Sequence, residues 1–205
     1  MDSAPFHVHA GIGLSLPTGA TDVEDVRPMP MQGRVRALLP AAMQPGSGTV
    51  DFLPSLTGWY QQPRWSAGGQ LSGAIRWYEN DQGYALGDEF RAQGWAGVNA
   101  LEWLSLSTRL GYHWQGELQG QQRNLNRTPL MGAPPGFTRT VTTAFSENYG
   151  GQQVDLGLGA NVLFGESMLA GNRFAFEFTL PLYRDRNGIQ LETDWVVTAG
   201  WQFSW

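Results

Sequence analysis

The 205-residue chain is 41 % hydrophobic and only 15 % charged, with a net charge of −5 and no cysteine; soluble domains usually carry about 25 % charged residues. The acidic balance without a basic run speaks against nucleic-acid binding, and zero cysteines exclude disulfides and thiolate chemistry. No run of about 18 apolar residues occurs, which excludes a membrane-spanning helix.

From the first residues onward the chain alternates as extended strands do, with side chains on opposite sides. Phe6, Val8, Ala10, Ile12, Leu14 and Leu16 share one side, against His7, His9, Gly11, Gly13 and Ser15. Val50, Phe52, Leu56 and Tyr60 then stand against Asp51, Ser55 and Thr57. Leu71, Gly73, Ile75 and Trp77 face away from Gln70, Ser72 and Arg76, and Phe90, Ala92, Ala96 and Val98 from Arg91, Gln93 and Asn99. The next strand sets Leu104, Leu106, Thr108, Leu110, Tyr112 and Trp114 against Ser105, Ser107, Arg109, Gly111 and His113. Val154, Leu156, Leu158, Ala160, Val162 and Phe164 follow, opposite Asp155, Gly157, Gly159 and Asn161. Then come Phe174, Phe176, Phe178, Leu180 and Leu182 opposite Arg173, Glu177 and Thr179. The last strand carries Trp195, Val197, Trp201, Phe203 and Trp205 opposite Asp194, Thr198 and Gln202.

Eight strands of this length are near the 9–11 residues that a tilted membrane strand needs. Their connections alternate. Short turns are expected at 61–64, 100–102 and 165–171, long loops at 17–47 and 116–149, and intermediate links at 80–86 and 186–190. All short turns fall at the end where Trp205 sits. An all-β, antiparallel, up-and-down transmembrane β-barrel has this asymmetry, and a single domain over residues 1–205 accommodates it.

A soluble calyx also alternates, so the lipid-facing side needs separate support. The apolar side is free of charge within every strand core, where Arg or Lys at mid-membrane costs about 2–4 kcal/mol. Lys is absent altogether and the polar side is rich in Gly, Ser, Thr, Asn and Gln, unlike the Lys-guarded cover of a soluble sheet. Aromatics gather near strand ends (Tyr60, Trp65, Trp77, Trp103, Trp114, Phe164, Trp195, Trp205) as interfacial girdles do. These features point to the bacterial outer membrane, with lipid as the first partner and the barrel-assembly machinery engaging the C-terminal strand. A soluble barrel with its apolar side turned inward is the competing arrangement.

Several stretches resemble a bacterial outer-membrane transporter family of the meta-pathway of phenol degradation. They are SLPTG (15–19), AMQPGSGTVDFLPSLTG (42–58), ENDQGYALGDEFRAQGW (79–95), EWLSLS (102–107), LPLYRDRNG (180–188) and LETDWVVTAGWQFSW (191–205). The resemblance spans nearly the whole chain. It implies a pore-forming or transport barrel for small, aromatic or apolar solutes, with no cofactor. Members of that family tend to be longer, with strands before SLPTG, and the MDSAPFHVHAG start has no signal-peptide pattern. The chain is therefore expected to be either a closed eight-stranded barrel or the C-terminal part of a wider one.

Asp51, Arg76, Arg91, Arg109, Asp155, Glu177 and Asp194 should line the interior. They form either a solute-selecting constriction or a network of mutually neutralising pairs. His7 and His9 share a side and His113 points inward, but no Asp, Glu or Cys accompanies them at ligand spacing. Met29, Met31 and Met43 suit a loop packing its own thioethers better than a copper site. GIG (11–13) and GSG (46–48) precede no helix and are not phosphate loops. The NRT triplet (126–128) is too common to carry meaning. No nucleophile–base pair stands out, so an enzyme is not expected. A pore, a non-conducting barrel with adhesive loops, and a ligand-binding calyx remain as functions.

Overall fold

The computed structural model describes residues 5–29, 33–122, 142–165 and 171–203. Twelve strands occur among them: β1 (Phe6–Ser15), β2 (Glu24–Met29), β3 (Gly33–Leu38), β4 (Asp51–Gln61), β5 (Trp65–Arg76), β6 (Tyr84–Ala85), β7 (Glu89–Leu101), β8 (Leu104–Gln115), β9 (Gln119–Gly120), β10 (Gly151–Leu163), β11 (Asn172–Arg186) and β12 (Val196–Phe203). Eight form one antiparallel sheet in the order β1-β4-β5-β7-β8-β10-β11-β12. These are the eight strands anticipated from alternation, in chain order. The closed barrel is not found: β1 and β12 are the outer strands, each bonded to one neighbour.

Register keeps the two sides of the sheet chemically distinct across all eight strands. One row runs Val8, Gly58, Gly69, Gly94, Leu110, Leu156, Leu180. The row beside it, on the opposite side, runs His7, Trp59, Gly68, Trp95, Arg109, Gly157, Thr179, Val196. Because the side-chain period is two, a slip by one residue would exchange the two sides.

The apolar side is open to its surroundings. Ile12 is 81 % exposed, Leu110 53 % and Phe176 49 %. The chain exposes 13353 Å² in total, against roughly 9,500 Å² for a compact monomer of its mass. Ring pairs edge this side: Tyr60–Trp65 and Phe164–Phe174 at the short-turn end, Phe52–Trp77 and Phe178–Trp195 at the long-loop end, with centroids 5.4 to 6.3 Å apart.

Two prolines in sheet strands coincide with breaks in the ladder, as a missing N–H requires. The β4–β5 pairing skips from Phe52↔Ile75 to Ser55↔Ser72 around Pro54. At Pro181 the β10–β11 register shifts, so Val154 pairs with Tyr183 and Leu182 is the extra residue. Simple alternation through Leu182 is therefore corrected: beyond the bulge Tyr183 takes the place beside Val154.

The three short turns lie at one end and the longer connections at the other, in the expected pattern. The loops at the long end are knitted together. Among the described residues the buried apolar cluster is here: Ala41, Tyr84 and Leu118, with Leu86 and Tyr149 packed on it. Strands β6 and β9 pair across two loops. Gln44 accepts from the Val23 amide (3.0 Å) and donates to Leu39 O (2.8 Å), fastening the base of the β2–β3 hairpin. Gln122 donates to Leu39 O (3.0 Å) and Asn80 to Ser47 O (2.8 Å). Burial pushes the Tyr149 phenol up to about 12, and its hydroxyl donates to Thr143 O at 2.7 Å. Met43 is exposed rather than packed within its loop. Met31, the NRT triplet and Trp205 lie outside the described residues.

Removing the Tyr84 ring should release the loops without unfolding the sheet. Truncating a buried aromatic costs about 3–5 kcal/mol, and here the loss falls on the cap. Tyr84→Ala should speed proteolysis within residues 16–50 and 116–122 while the far-UV strand signal persists; unchanged cleavage would show that the cluster does not hold the loops.

Candidate functional site: the polar side of the sheet

The polar side is organised in three tiers along the strands. At the long-loop end, the guanidinium of Arg76 lies between two carboxylates, 3.4 Å from Asp51 Oδ2 and 3.2 Å from Glu89 Oε1. It also donates to Gly87 O, and its backbone N–H donates to Asp88 Oδ1 at 2.8 Å. Asp51 accepts from Thr49 Oγ1 at 2.5 Å. Arg91 reaches Glu89 Oε2 at 2.8 Å, and His113 Nε2 lies 3.5 Å from the same oxygen. Asp51 and Arg76 are buried, and a buried charge is tolerable only when neutralised and hydrogen-bonded. Register explains the meeting: Asp51 faces Arg76, and Arg91 faces His113, on successive strands.

The middle tier lies about six residues further along β7, or roughly 20 Å at strand rise. Trp59 and Trp95 flank Gly68, where a Cβ would come within 2.6 Å of the Trp95 ring and 2.8 Å of Trp59 Cβ. His7 stacks on Trp59 with centroids 5.0 Å apart. Beside Trp95 stands Arg109, whose Nη2 is 2.5 Å from Glu177 Oε1 and 3.4 Å from Thr179 Oγ1. The partners sit on β8 and β11, with β10 between them, so the pair crosses a strand. Gly157 makes this possible: a Cβ there would meet Glu177 Cδ at 3.0 Å. Between the tiers, Gln93 donates to Gln70 (2.8 Å) and Gln70 to Thr57 (2.9 Å).

The third tier lies by the short turns. Asn99, Ser105 and Asn161 are direct cross-strand partners. Arg173 on β11 donates to Asn161 Oδ1 from Nε (3.2 Å) and Nη2 (2.8 Å).

Six of the seven anticipated ionisable residues lie on this side. Asp51, Arg76 and Arg91 belong to one cluster, and Arg109 and Glu177 form the strand-crossing pair. Asp155 sits one turn of the pleat from Arg109's partner Gly157 and accepts from Gln153 at 2.6 Å. Asp194, the seventh, precedes β12; its side chain is 85 % exposed and lies 3.4 Å from Arg184. Alternation missed Glu89, the hub of the first cluster, although it shares parity with Arg91. Trp59 and Trp95 lie on this side too, which residue polarity alone does not indicate. Their parity with Thr57 and Gln93 was the available signal.

Among the described residues no group of three or more His, Asp or Glu could hold a metal ion. His7 is occupied with Trp59 and His9 is exposed. The chain matches no family model, no curated protein and no solved structure.

The Arg109–Glu177 pair is about one-third exposed, so a double-mutant cycle with Arg109→Met and Glu177→Met should give a coupling of about 1 kcal/mol. In a Gly157→Val background, where the added side chain stands between the partners, that coupling should vanish. A coupling that survives Gly157→Val would mean the two groups meet by another route.

Proposed function

We propose that this chain is a bacterial outer-membrane β-barrel that admits small solutes, its apolar side against lipid and its polar side lining the interior. The observation that carries the reading is the uninterrupted apolar side of all eight strands, exposed to its surroundings while the other side pairs its charges and amides internally. Soluble proteins rarely expose apolar patches beyond a few hundred Å². Edging by aromatic pairs and the segregation of long and short connections support the same arrangement. The family resemblance supplies the solute class, small aromatic or apolar molecules. Nothing in this reading calls for catalysis or a cofactor.

A barrel needs β1 to meet β12, since open edges are intolerable in hydrocarbon. With eight strands the two outer strands run antiparallel to one another, as every other neighbouring pair does. The rows also drift: β1 ends at Ser15, whereas β12 begins at Val196 in the row of His7. The drift from residue 15 to residue 7 is eight residues across the sheet, a shear that suits a small barrel. Joining loop ends sets Ser15 against Val196 and Ile12 against Ala199. Cysteines at Ile12 and Ala199 should form a disulfide within one chain on oxidation; cross-links found only between chains would replace self-closure with a two-chain assembly.

Membrane residence is tested by substitution on the apolar side. Leu71→Arg should lose about 2–4 kcal/mol of stability in bilayers if mid-membrane, and Leu71→Phe should be tolerated. The unheated native form should migrate faster than the boiled one on a detergent gel. Equal migration, with the chain monomeric in detergent-free buffer, would favour the soluble calyx.

A second reading has its own support. The knitted loops and the bulk of Trp59, Trp95, Arg109 and Glu177 would fill a narrow interior, making a non-conducting barrel that presents its loops as a binding surface. Planar-bilayer recording separates the two: discrete conductance steps belong to the pore, and silence with folded, inserted protein belongs to the adhesive barrel.

A further inference from the structure

The arginines on the polar side of the main sheet are not equivalent. Arg76, Arg91 and Arg109 each lie within 3.4 Å of a carboxylate. Arg173 has no carboxylate within 4.0 Å among the described residues, and both of its hydrogen-bonding nitrogens converge on one neutral amide oxygen, Asn161 Oδ1. The nearest acid on the same side of its strand, Glu177, is already engaged by Arg109. A guanidinium fork matches a carboxylate or phosphate in bidentate geometry, and such pairs are about twice as strong as neutral ones. Among the described residues no acid takes up that capacity.

The surroundings of Arg173 are concave. A cavity of about 230 Å³ is lined by Arg173, Asn161, Ser105, Ser107, Asn99 and Ser66, among others. A second, of about 380 Å³ by the 102–103 turn, shares Arg173, Asn161, Ser105 and Asn99. Its rim holds one acid, Glu102, next to the turn. Register brings the donors together, since Asn99, Ser105 and Asn161 stand opposite one another on β7, β8 and β10. With its oxygen committed to Arg173, the Asn161 amide has its N–H groups to offer. The hydroxyls are small enough to leave room for a guest and can donate to it.

We infer that this tier is a binding site for a small oxygen anion, a carboxylate or a phosphate, held by Arg173 with Asn161, Ser105 and Asn99. The inference rests on the polar side lining an interior, as proposed above, and adds the charge of the solute: the barrel takes anions at its short-turn end. Asp51, Glu89 and Glu177 are each held by an arginine, so the anion meets few free acids on its way along the polar side.

The test uses the full chain folded in detergent, with sodium acetate and inorganic phosphate as probes. Exchange is read from broadening of the acetate 13C carboxylate signal and of the phosphate 31P signal. Saturable broadening of either probe is expected, weakened at least tenfold in Arg173→Gln, largely restored in Arg173→Lys, and unchanged in Arg36→Gln on the β2–β3 hairpin. Saturation by acetate alone assigns a carboxylate, and by phosphate alone a phosphate. Non-saturable broadening, or equal broadening in Arg173→Gln and the parent, overturns the site. Far-UV strand content and heat-dependent gel migration are recorded on each sample. A folded, heat-modifiable protein that ignores both probes sinks the anion site alone, whereas loss of heat-modifiability in the parent chain sinks the barrel.

Discussion

An extended chain must send alternate side chains to opposite sides, and eight strands here send most large aliphatic groups and most rings to the same side. That side cannot be hidden within the sheet itself. It carries no buried core, and the cluster around Tyr84 lies in the loops. The free energy of the fold thus depends on what covers the apolar side. At about 25 cal/mol per Å², covering it would outweigh any single pairing on the other side.

The polar side answers to a different demand. Once charges are drawn off the apolar side they accumulate opposite it, at a density that would be prohibitive unpaired. Register solves this by setting Asp51 against Arg76 and by bringing Glu89 between Arg76, Arg91 and His113. Volume is handled in the same way. Gly68 accommodates the rings of Trp59 and Trp95, and Gly157 lets a guanidinium cross a whole strand. At these two positions glycine is tied to a particular large neighbour rather than to general pliancy.

Strand identity, strand order and the segregation of turns were legible because each depends on a local period or a local count. What resisted was set by pairs distant in sequence. Pro54 and Pro181 read as strand-breakers in isolation, yet both are absorbed where the ladder skips or bulges. The parity change after Leu182 cannot be seen without knowing that Val154 sits opposite Tyr183. Asp194 kept its alternation with Val196 but fell before the strand began, where Arg184 holds it. The loop cap was illegible for a further reason: Ala41, Tyr84 and Leu118 come from three connections, none with a period of its own. Glu89 and the Trp59–Trp95 pair show the limit of classing residues by polarity alone. A tryptophan can serve the polar side when glycine gives it space, and the first residue of a strand can be its most connected.

The pair between Arg109 and Glu177 has a bearing on how the chain assembles. Sixty-eight positions separate the partners, and a third strand must already lie between them with a glycine at the crossing point. A one-residue error in threading would swing the guanidinium onto the apolar side of the sheet. A two-residue error would keep it on the correct side but carry it roughly 7 Å from its acid. Only one alignment of β8, β10 and β11 satisfies both groups. The contact thus works as a proofreading check on strand alignment, penalising mismatched intermediates that hydrophobic patterning by itself would accept.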